Sequence, residues 1–330
     1  MARTGPTRRA TILGAALGLP ALALARTAAR AQPAAGDFPS RPLRLIYPFA
    51  TGAGDVIARA IAERLRETLG QSVVVENKPG ANTMIGAEAA ARAPKDGYTI
   101  GWVATSTLAL NPHFYPNIPY RLEDFAPLCL VYRAPLALAV TAELPIRSVA
   151  EAVAYMKARP GLGVGTVGNG SSPHLMMELF QASAGVSAVN VAYRGEQPIL
   201  SDLFTGRIPF FAGSVATLLP HAEGGKLRIL AVSAPERIAP LPRVPTFREA
   251  GHPDATYEYW HGTAAPAGTP EPVLRTLSDA IAEAVRSDVV RARASPDWTL
   301  DPIQRDAFLA LIRADAERLG RVIRERGITV

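Results

Sequence analysis

Residues 45–69 read LIYPFATGAGDVIARAIAERLRETL, and the order strand, glycine loop, helix decides the fold class. Leu45-Ile46-Tyr47 is a short apolar run that suits a buried strand. Pro48 ends its hydrogen-bond ladder because proline has no N–H to donate. Gly52 and Gly54 allow a tight turn and, lacking a Cβ, a close backbone approach to a ligand. Asp55 has the short acceptor side chain expected of an N-cap. Beyond it Ile57, Ala58, Ile61, Ala62, Leu65 and Leu69 recur at helical spacing, with Arg59, Glu63, Arg66 and Glu67 on the other face. Gly70 suits the residue that ends a helix in the left-handed conformation. Free N–H groups at the positive end of a helix make an anion site. The same residues also serve an ordinary strand-to-helix turn.

The pattern continues outward. Ser72–Glu76 and Gly97–Ala104 read as strands around a helix at Ile85–Ala93, with turn clusters at Asn77–Asn82 and Thr105–Thr107. This alternation predicts a parallel α/β sheet, whose ligands sit beyond the carboxyl ends of the strands. Leu128–Tyr132 and Leu136–Thr141 are apolar runs on either side of Arg133-Ala134-Pro135, suited to a crossing between domains. A second set follows: a helix capped by Ser148, a strand at Gly163–Val167, a polar loop Asn169–Ser172 leading into a helix with Pro173 in its first turn, a strand at Val189–Tyr193, a helix after Pro198 and a strand at Phe210–Ala212 running into Gly213-Ser214. Leu227–Ser233 suits a crossing back. Tyr257–Ala265 reads as a late strand, and Pro272–Arg293 and Arg305–Arg326 as long amphipathic helices. Two α/β domains joined by two crossings enclose a cleft, and clefts between domains hold small ligands.

The chain opens with Arg3, Arg8 and Arg9, an apolar stretch Ile12–Ala25 too short to span a membrane, and Ala29-Arg30-Ala31. This is the order of an export signal cleaved after Ala31, and Thr7-Arg8-Arg9 hints at twin-arginine export. An Arg-rich, acid-free organellar leader is the competing reading. The full chain has 35 basic and 29 acidic side chains, and the leader holds five arginines and no acid. The remainder therefore has 30 against 29, a formal +1, and offers no case for nucleic acid. Cys129 stands alone, so no internal disulfide forms. The five histidines have no metal-ligand spacing, and no cofactor is expected.

Gly163–Gly168 matches G-x-G-x-x-G, but the helix starts too late and no acidic residue closes the following strand, so a dinucleotide site is rejected. Ser171 and His174 lie close enough for a nucleophile and base, without a third group to orient them. They equally suit ligand contacts, and Ser171 suits a plain cap. Arg194, at a strand end, is able to pair a carboxylate bidentately or to stand solvated on a rim.

Several stretches together carry a resemblance: YPFATGAGDVIARAIAERL (47–65), VVVENKPGANTMIGAEAAARAPKDGYTI (73–100), ALNPHFYPNIPYRLEDFAPL (109–128), GNGSSPHLMMELFQASAGV (168–186), VAYRGEQPILSDLFTGRI (191–208), PHAEGGKLRILAVSAPERIAPLPRVPTFREAG (220–251) and APAGTPEPVLRTL (265–277). The chain resembles the Bug family of periplasmic solute receptors, the binding components of tripartite tricarboxylate transporters. That resemblance implies a type II periplasmic-binding-protein fold. One lobe would hold 32–132 and 234–330, the other 133–233. The expected ligand is a small mono-, di- or tricarboxylate, and the expected partners are the transporter's membrane components, with the receptor a monomer in the periplasm. Carried over residue by residue, the first-lobe contacts are Phe49, Ala50, Thr51, Gly52, Ala53, Gly54 and Asp55, with Asn82, Thr83, Thr105 and Ser106. The second-lobe contacts are Asn169, Gly170, Ser171, His174, Tyr193, Arg194 and Gly195, with Gly213 and Ser214. Three stretches depart from the family's pattern: the first loop is one residue short, PGANTMIG replaces PGAGGNIG, and Ala212-Gly213-Ser214 stands where an Asp-Asn pair is usual. A sensor module presenting ligand to a signalling receptor, and a hydrolase using Ser171 and His174, are the rival readings.

Overall fold

The computed structural model describes residues 38–330, within one compact unit spanning 34–330. The expected export segment at 1–31 lies outside the described residues. β1 (Leu43–Tyr47), α1 (Ala53–Leu69), β2 (Val73–Asn77), α2 (Met84–Ala91) and β3 (Thr99–Ala104) follow the expected alternation. A π-helical turn (Ser106–Leu110) and α3 (Asn111–Phe114) precede β4 (Phe125–Thr141). Then come α4 (Val149–Lys157), β5 (Leu162–Thr166), α5 (Ser172–Ala184), β6 (Ala188–Ala192), α6 (Glu196–Phe204), β7 (Phe210–Ser214), α7 (Val215–Glu223) and β8 (Leu227–Val232). β9 (Glu258–Pro266), α8 (Glu271–Arg286), α9 (Asp288–Arg291) and α10 (Arg305–Glu325) close the chain.

α1 shows why the apolar spacing matters. Ile57, Ala58, Ile61 and Leu65 are fully buried while Arg59 and Glu63 face solvent. Each isoleucine or leucine among them contributes roughly 1.5–3 kcal/mol relative to exposure. Gly70 takes the left-handed conformation at the helix end (φ 69°), as expected.

The sheet is mixed rather than parallel. β1 pairs in parallel with β2 and β3, but β9 inserts antiparallel between β3 and β4. In the second set β5 pairs in parallel with β6 and β7, while β7 and β8 both run antiparallel to β4. The two apolar runs around Arg133-Ala134-Pro135 are one strand. Phe125–Pro135 of β4 pairs with β9, and Leu136–Thr141 pairs with β7 and β8. β4 thus belongs to both sheets and passes between them after Pro135. We call the part built on β1–β3 and β9 the first lobe and the part built on β5–β8 the second.

Three boundaries differ from the sequence reading. β8 stays in the second sheet, and the chain crosses back only after it, where Ser233 Oγ accepts from Leu136 N (2.8 Å) and donates to Tyr257 O. This hydroxyl ties the two crossings together. The helix expected over Pro272–Arg293 ends at Arg286, because Ser287 turns extended and caps α9 by accepting from Val290 N. α6 starts at Glu196, two residues before Pro198, which proline's fixed φ permits in a first turn.

Candidate functional site

The carboxyl ends of β1, β2 and β3 bring three expected segments to one edge: Phe49–Asp55, Asn82-Thr83 and Thr105-Ser106. Asp55 is not the N-cap. Gly52 is, with extended backbone (φ 176°) and no side-chain cap. The helix begins before Asp55, so its carboxylate falls on the inner side and is already held. It accepts from Arg59 Nε (2.8 Å) and Asn77 Nδ2 (2.8 Å), and Asn77 Nδ2 also reaches Phe49 O (3.2 Å). Asp55 therefore braces the loop against β2 rather than offering its oxygens to a ligand. The N–H groups of Asp55 and Val56 both bond Gly52 O, at 3.0 and 3.3 Å. Those of Thr51, Gly52, Ala53 and Gly54 have no acceptor among the described residues. Ala50–Ala53 are exposed.

The two glycines of this loop have different reasons. A Cβ on Gly54 would overlap the Tyr47 hydroxyl and lie 3.3 Å from the Tyr132 hydroxyl. Gly54 is small because tyrosines pack beneath it, a packing reason that the sequence did not show, while its N–H stays free. A Cβ on Gly52 would meet nothing within 4 Å. Gly52 is the position open to approach.

Behind the loop the hydroxyls are mostly committed. Thr83 Oγ1 and Thr107 Oγ1 bond each other at 2.9 Å. Thr105 Oγ1 accepts from Trp260 N at 2.8 Å. Ser106 Oγ, at the head of the π-helical turn, has no partner among the described residues although the residue is only 6% exposed. Such turns mark functional sites often enough to single it out. Ala81, Asn82 and Thr83 are consecutive left-handed residues, with φ of 46°, 45° and 75°. This is the stretch where the resemblance led one to expect glycine, and side-chain-bearing residues pay a conformational cost there. Reciprocal bonds between Asn82 and Asn111 (2.7 and 2.8 Å) and the Thr83–Thr107 contact hold it.

An aromatic floor lies under the loop, and sequence reasoning did not find it. His261 of β9 is stacked on Phe49 (centroids 5.0 Å, 11°) and on Tyr132 (4.8 Å). Its Nδ1 lies 2.9 Å from both Trp102 Nε1 and Tyr132 Oη. Indole N–H only donates, so Nδ1 is the acceptor and the ring proton is on Nε2. Burial pulls the His261 pKa down to about 3, so the ring is neutral. Burial pushes the Tyr47, Tyr132 and Tyr259 hydroxyls well up, and the charge of Glu196 in the second lobe adds to this at all three. The signal in the sequence was the aromatic run Tyr257–His261 inside an apolar strand.

The second-lobe candidates are arranged otherwise. Ser171 is the cap of α5. Its Oγ accepts from His174 N (3.4 Å) and donates to Gly168 O (2.6 Å). His174 Nδ1 accepts from Gly170 N (3.0 Å), and its Nε2 lies 3.5 Å from Glu178. Neither ring nitrogen meets the Ser171 hydroxyl, so the nucleophile–base pair is not formed. Asn169 O accepts from Tyr115 Oη of the first lobe (2.8 Å), and His174 stacks on Phe114. A Cβ on Gly170 would lie 3.2 Å from both Phe114 and Tyr115. This segment is where the lobes touch. Tyr193 Oη is spent on Asp202 (2.7 Å). Arg194 is exposed, with no ion pair or side-chain hydrogen bond among the described residues. Gly195 (φ 105°) starts α6 without a side-chain cap.

Gly213 and Ser214 end β7, where Ser214 caps α7. A side chain absent from the sequence reading meets them. Glu196 Oε1 accepts from Ser214 N (3.0 Å), and Oε2 accepts from Ser214 Oγ (3.0 Å) and Thr217 Oγ1. Its only sequence signal was an acid directly after Gly195 at a helix start. No group of three His, Cys, Asp or Glu side chains able to hold a metal occurs among the described residues.

Two α/β lobes that share a strand, with polar loops facing across the junction, define a bilobal solute-binding protein. The family model for the tripartite tricarboxylate transporter family receptor matches residues 57–328. The chain is 36% identical to protein BugT of Bordetella pertussis over 307 residues, 91% of this chain and 94% of that one. Its fold matches R. palustris Rpa4515 with adipate (TM-score 0.83, 34% identity), covering 89% of this chain and 99% of that one. It also matches MatC of Rhodopseudomonas palustris with bound malate (TM-score 0.81, 29% identity), covering 87% and 100%. The chain belongs to the tripartite tricarboxylate transporter receptor family, with the Bug proteins, a family of periplasmic binding proteins.

Proposed function

We propose that this protein is a periplasmic receptor that holds a small carboxylate at the Phe49–Asp55 loop and delivers it to the membrane components of a tripartite tricarboxylate transporter. The observation that carries this is the row of unaccepted N–H groups from Thr51 to Gly54 at the start of α1, of which Thr51–Ala53 are exposed and Gly54 half-buried. Aligned peptide dipoles add roughly half a positive charge there. Arg59, the nearest cation in the loop's own network, is tied to Asp55 and Asn77. The carboxylate is thus held by backbone donors, without desolvating a second full charge. Adipate and malate in the related structures support the ligand class. The lobes expected at 32–132 with 234–330 and at 133–233 rotate about the crossing after Pro135 and its Ser233 tie, with Arg133–Pro135 moving with the first lobe through their pairing with β9. Export with cleavage after Ala31 delivers a monomeric chain that begins at Gln32.

Calorimetric titration of residues 32–330 with mono-, di- and tricarboxylates tests the reading. At least one is expected to bind with a Kd near or below about 1 µM, about −8 kcal/mol. If no carboxylate gives heat above its dilution control, the reading fails. Intact mass of the periplasmic protein checks the cleavage site.

A further inference from the structure

We infer that Glu196 sets the solute specificity of this receptor, which takes a monocarboxylate whose far end carries a protonated amine in preference to a dicarboxylate. The inference rests on the first-lobe loop holding the solute's carboxylate.

Three donors of the second lobe converge on one point: Ser214 N, Ser214 Oγ and Thr217 Oγ1, at the start of α7. Such an array would otherwise receive a carboxylate from a ligand. Here the protein supplies that carboxylate itself. An ionised carboxylate has about four acceptor sites, and three are in use. What remains on offer at this end is an acceptor with a negative charge. No Lys or Arg is within ion-pair reach of Glu196 among the described residues, so that charge has no neutralising partner.

The position of Glu196 makes this charge relevant to a solute. Ser214, which it grips, faces Leu136 in the β4–β7 ladder, the first residue past the crossing. On the other side of the crossing, Ala134 pairs with Tyr259, and Tyr132 lies under Gly54. Burial raises the hydroxyls of Tyr47, Tyr132 and Tyr259, the aromatic group beneath the first-lobe loop, and the carboxylate of Glu196 is a smaller contributor at each. Glu196 therefore stands across the junction from the Thr51–Gly54 donors. A solute that spans the two meets N–H donors at one end and a carboxylate at the other. A second carboxylate there meets like charge at low dielectric, whereas an ammonium gains a charge-assisted hydrogen bond.

The test is calorimetric titration of residues 32–330 with two length-matched series. One is succinate, glutarate and adipate; the other replaces one carboxylate of each by an aminomethyl group, giving γ-aminobutyrate, δ-aminovalerate and ε-aminocaproate. The best-binding amino carboxylate is expected to bind roughly tenfold or more tightly than its dicarboxylate partner, about 1.4 kcal/mol. Glu196→Gln, which keeps the size and one acceptor, is expected to erase that preference. Equal or tighter binding of the dicarboxylates by the unsubstituted protein overturns the role of Glu196 while leaving the carboxylate reading intact. Binding of neither series overturns this inference, while the carboxylate reading stands or falls on the wider titration with mono-, di- and tricarboxylates. The preference is measured on the unsubstituted protein, so it does not depend on whether the variant folds.

Discussion

The loop before α1 and the loop before α5 both run from a strand through glycine into a helix, and they finish differently. At α5 the Ser171 hydroxyl accepts from His174 N, and the His174 ring accepts from Gly170 N. At α1 the cap is Gly52, which has no side chain to accept anything. The α5 terminus is closed by its own residues and is used to touch the other lobe. The α1 terminus is left open. A serine at a cap stabilises a helix by about 1 kcal/mol, and a loop that forgoes it keeps its donors for something else. The difference is the ground on which we propose the first lobe for the anion end of the site.

Acid should act most strongly beneath the α1 loop, where two buried groups near Tyr132 and Tyr259 oppose each other. His261, under the α1 loop, has its pKa held at about 3 against an ordinary 6.5. A depressed value contributes stability that is present above the unfolded pKa and lost as pH falls toward the folded one, on the order of 5 kcal/mol in full. Asp297 runs the other way. Burial raises its pKa from 3.8 to about 6, so its contribution is present below 3.8 and lost as pH rises through about 6. Urea unfolding between neutral pH and about pH 4 should show a flatter acid slope for His261→Gln and a steeper one for Asp297→Asn. An unchanged slope in His261→Gln means the floor does not titrate.

Gly52→Asp attacks the open terminus directly. A Cβ there meets nothing, the φ is extended, and aspartate is a good cap. The substitution should raise unfolding free energy by a few tenths of a kcal/mol to about 1 kcal/mol. It should also weaken carboxylate binding by roughly a hundredfold, about 3 kcal/mol, because the new carboxylate occupies the donors. Stability and affinity moving in the same direction would mean that the N–H groups are not the site. Ser171→Ala should do the reverse, lowering stability by about 1 kcal/mol with affinity changed less than about threefold. A larger affinity loss than stability loss would return Ser171 to the site. Arg194→Ala should be the mildest, within about 0.5 kcal/mol in stability and less than about threefold in affinity. Loss of binding there would show that the solute is held by an ion pair.

Element order was readable because the apolar runs are strong and the loops are rich in glycine, serine and proline. Ser148, Ser171 and Gly70 sit at helix ends as their chemistry predicts. The errors are non-local. Asp55 looked like a cap until Asn77, on the neighbouring strand, claimed its carboxylate. The packing reason for Gly54 was hidden because the Tyr47 and Tyr132 hydroxyls that require it come from two strands. Arg133-Ala134-Pro135 was rightly read as a crossing, and only the pairing of Pro135 with Glu258 shows that the crossing is made inside one continuous strand. Glu196 escaped because its partners Ser214 and Thr217 are 18 and 21 residues away.

The insertion of β9 between β3 and β4 also orders events in time. The ribosome makes β3 and β4 early, but β9 begins only at Glu258, after 116 further residues beyond Thr141. At about 5–20 residues per second that is roughly 6–23 s of synthesis. Throughout it the Phe125–Pro135 half of β4, with its apolar Leu128–Val131 run, has no partner strand, since β7 and β8 cover only the half after it. An unpaired apolar edge is an adhesive surface for other chains. The strand that unites the two lobes in the finished protein is, in the nascent chain, the segment most in need of an escort before residue 266 emerges.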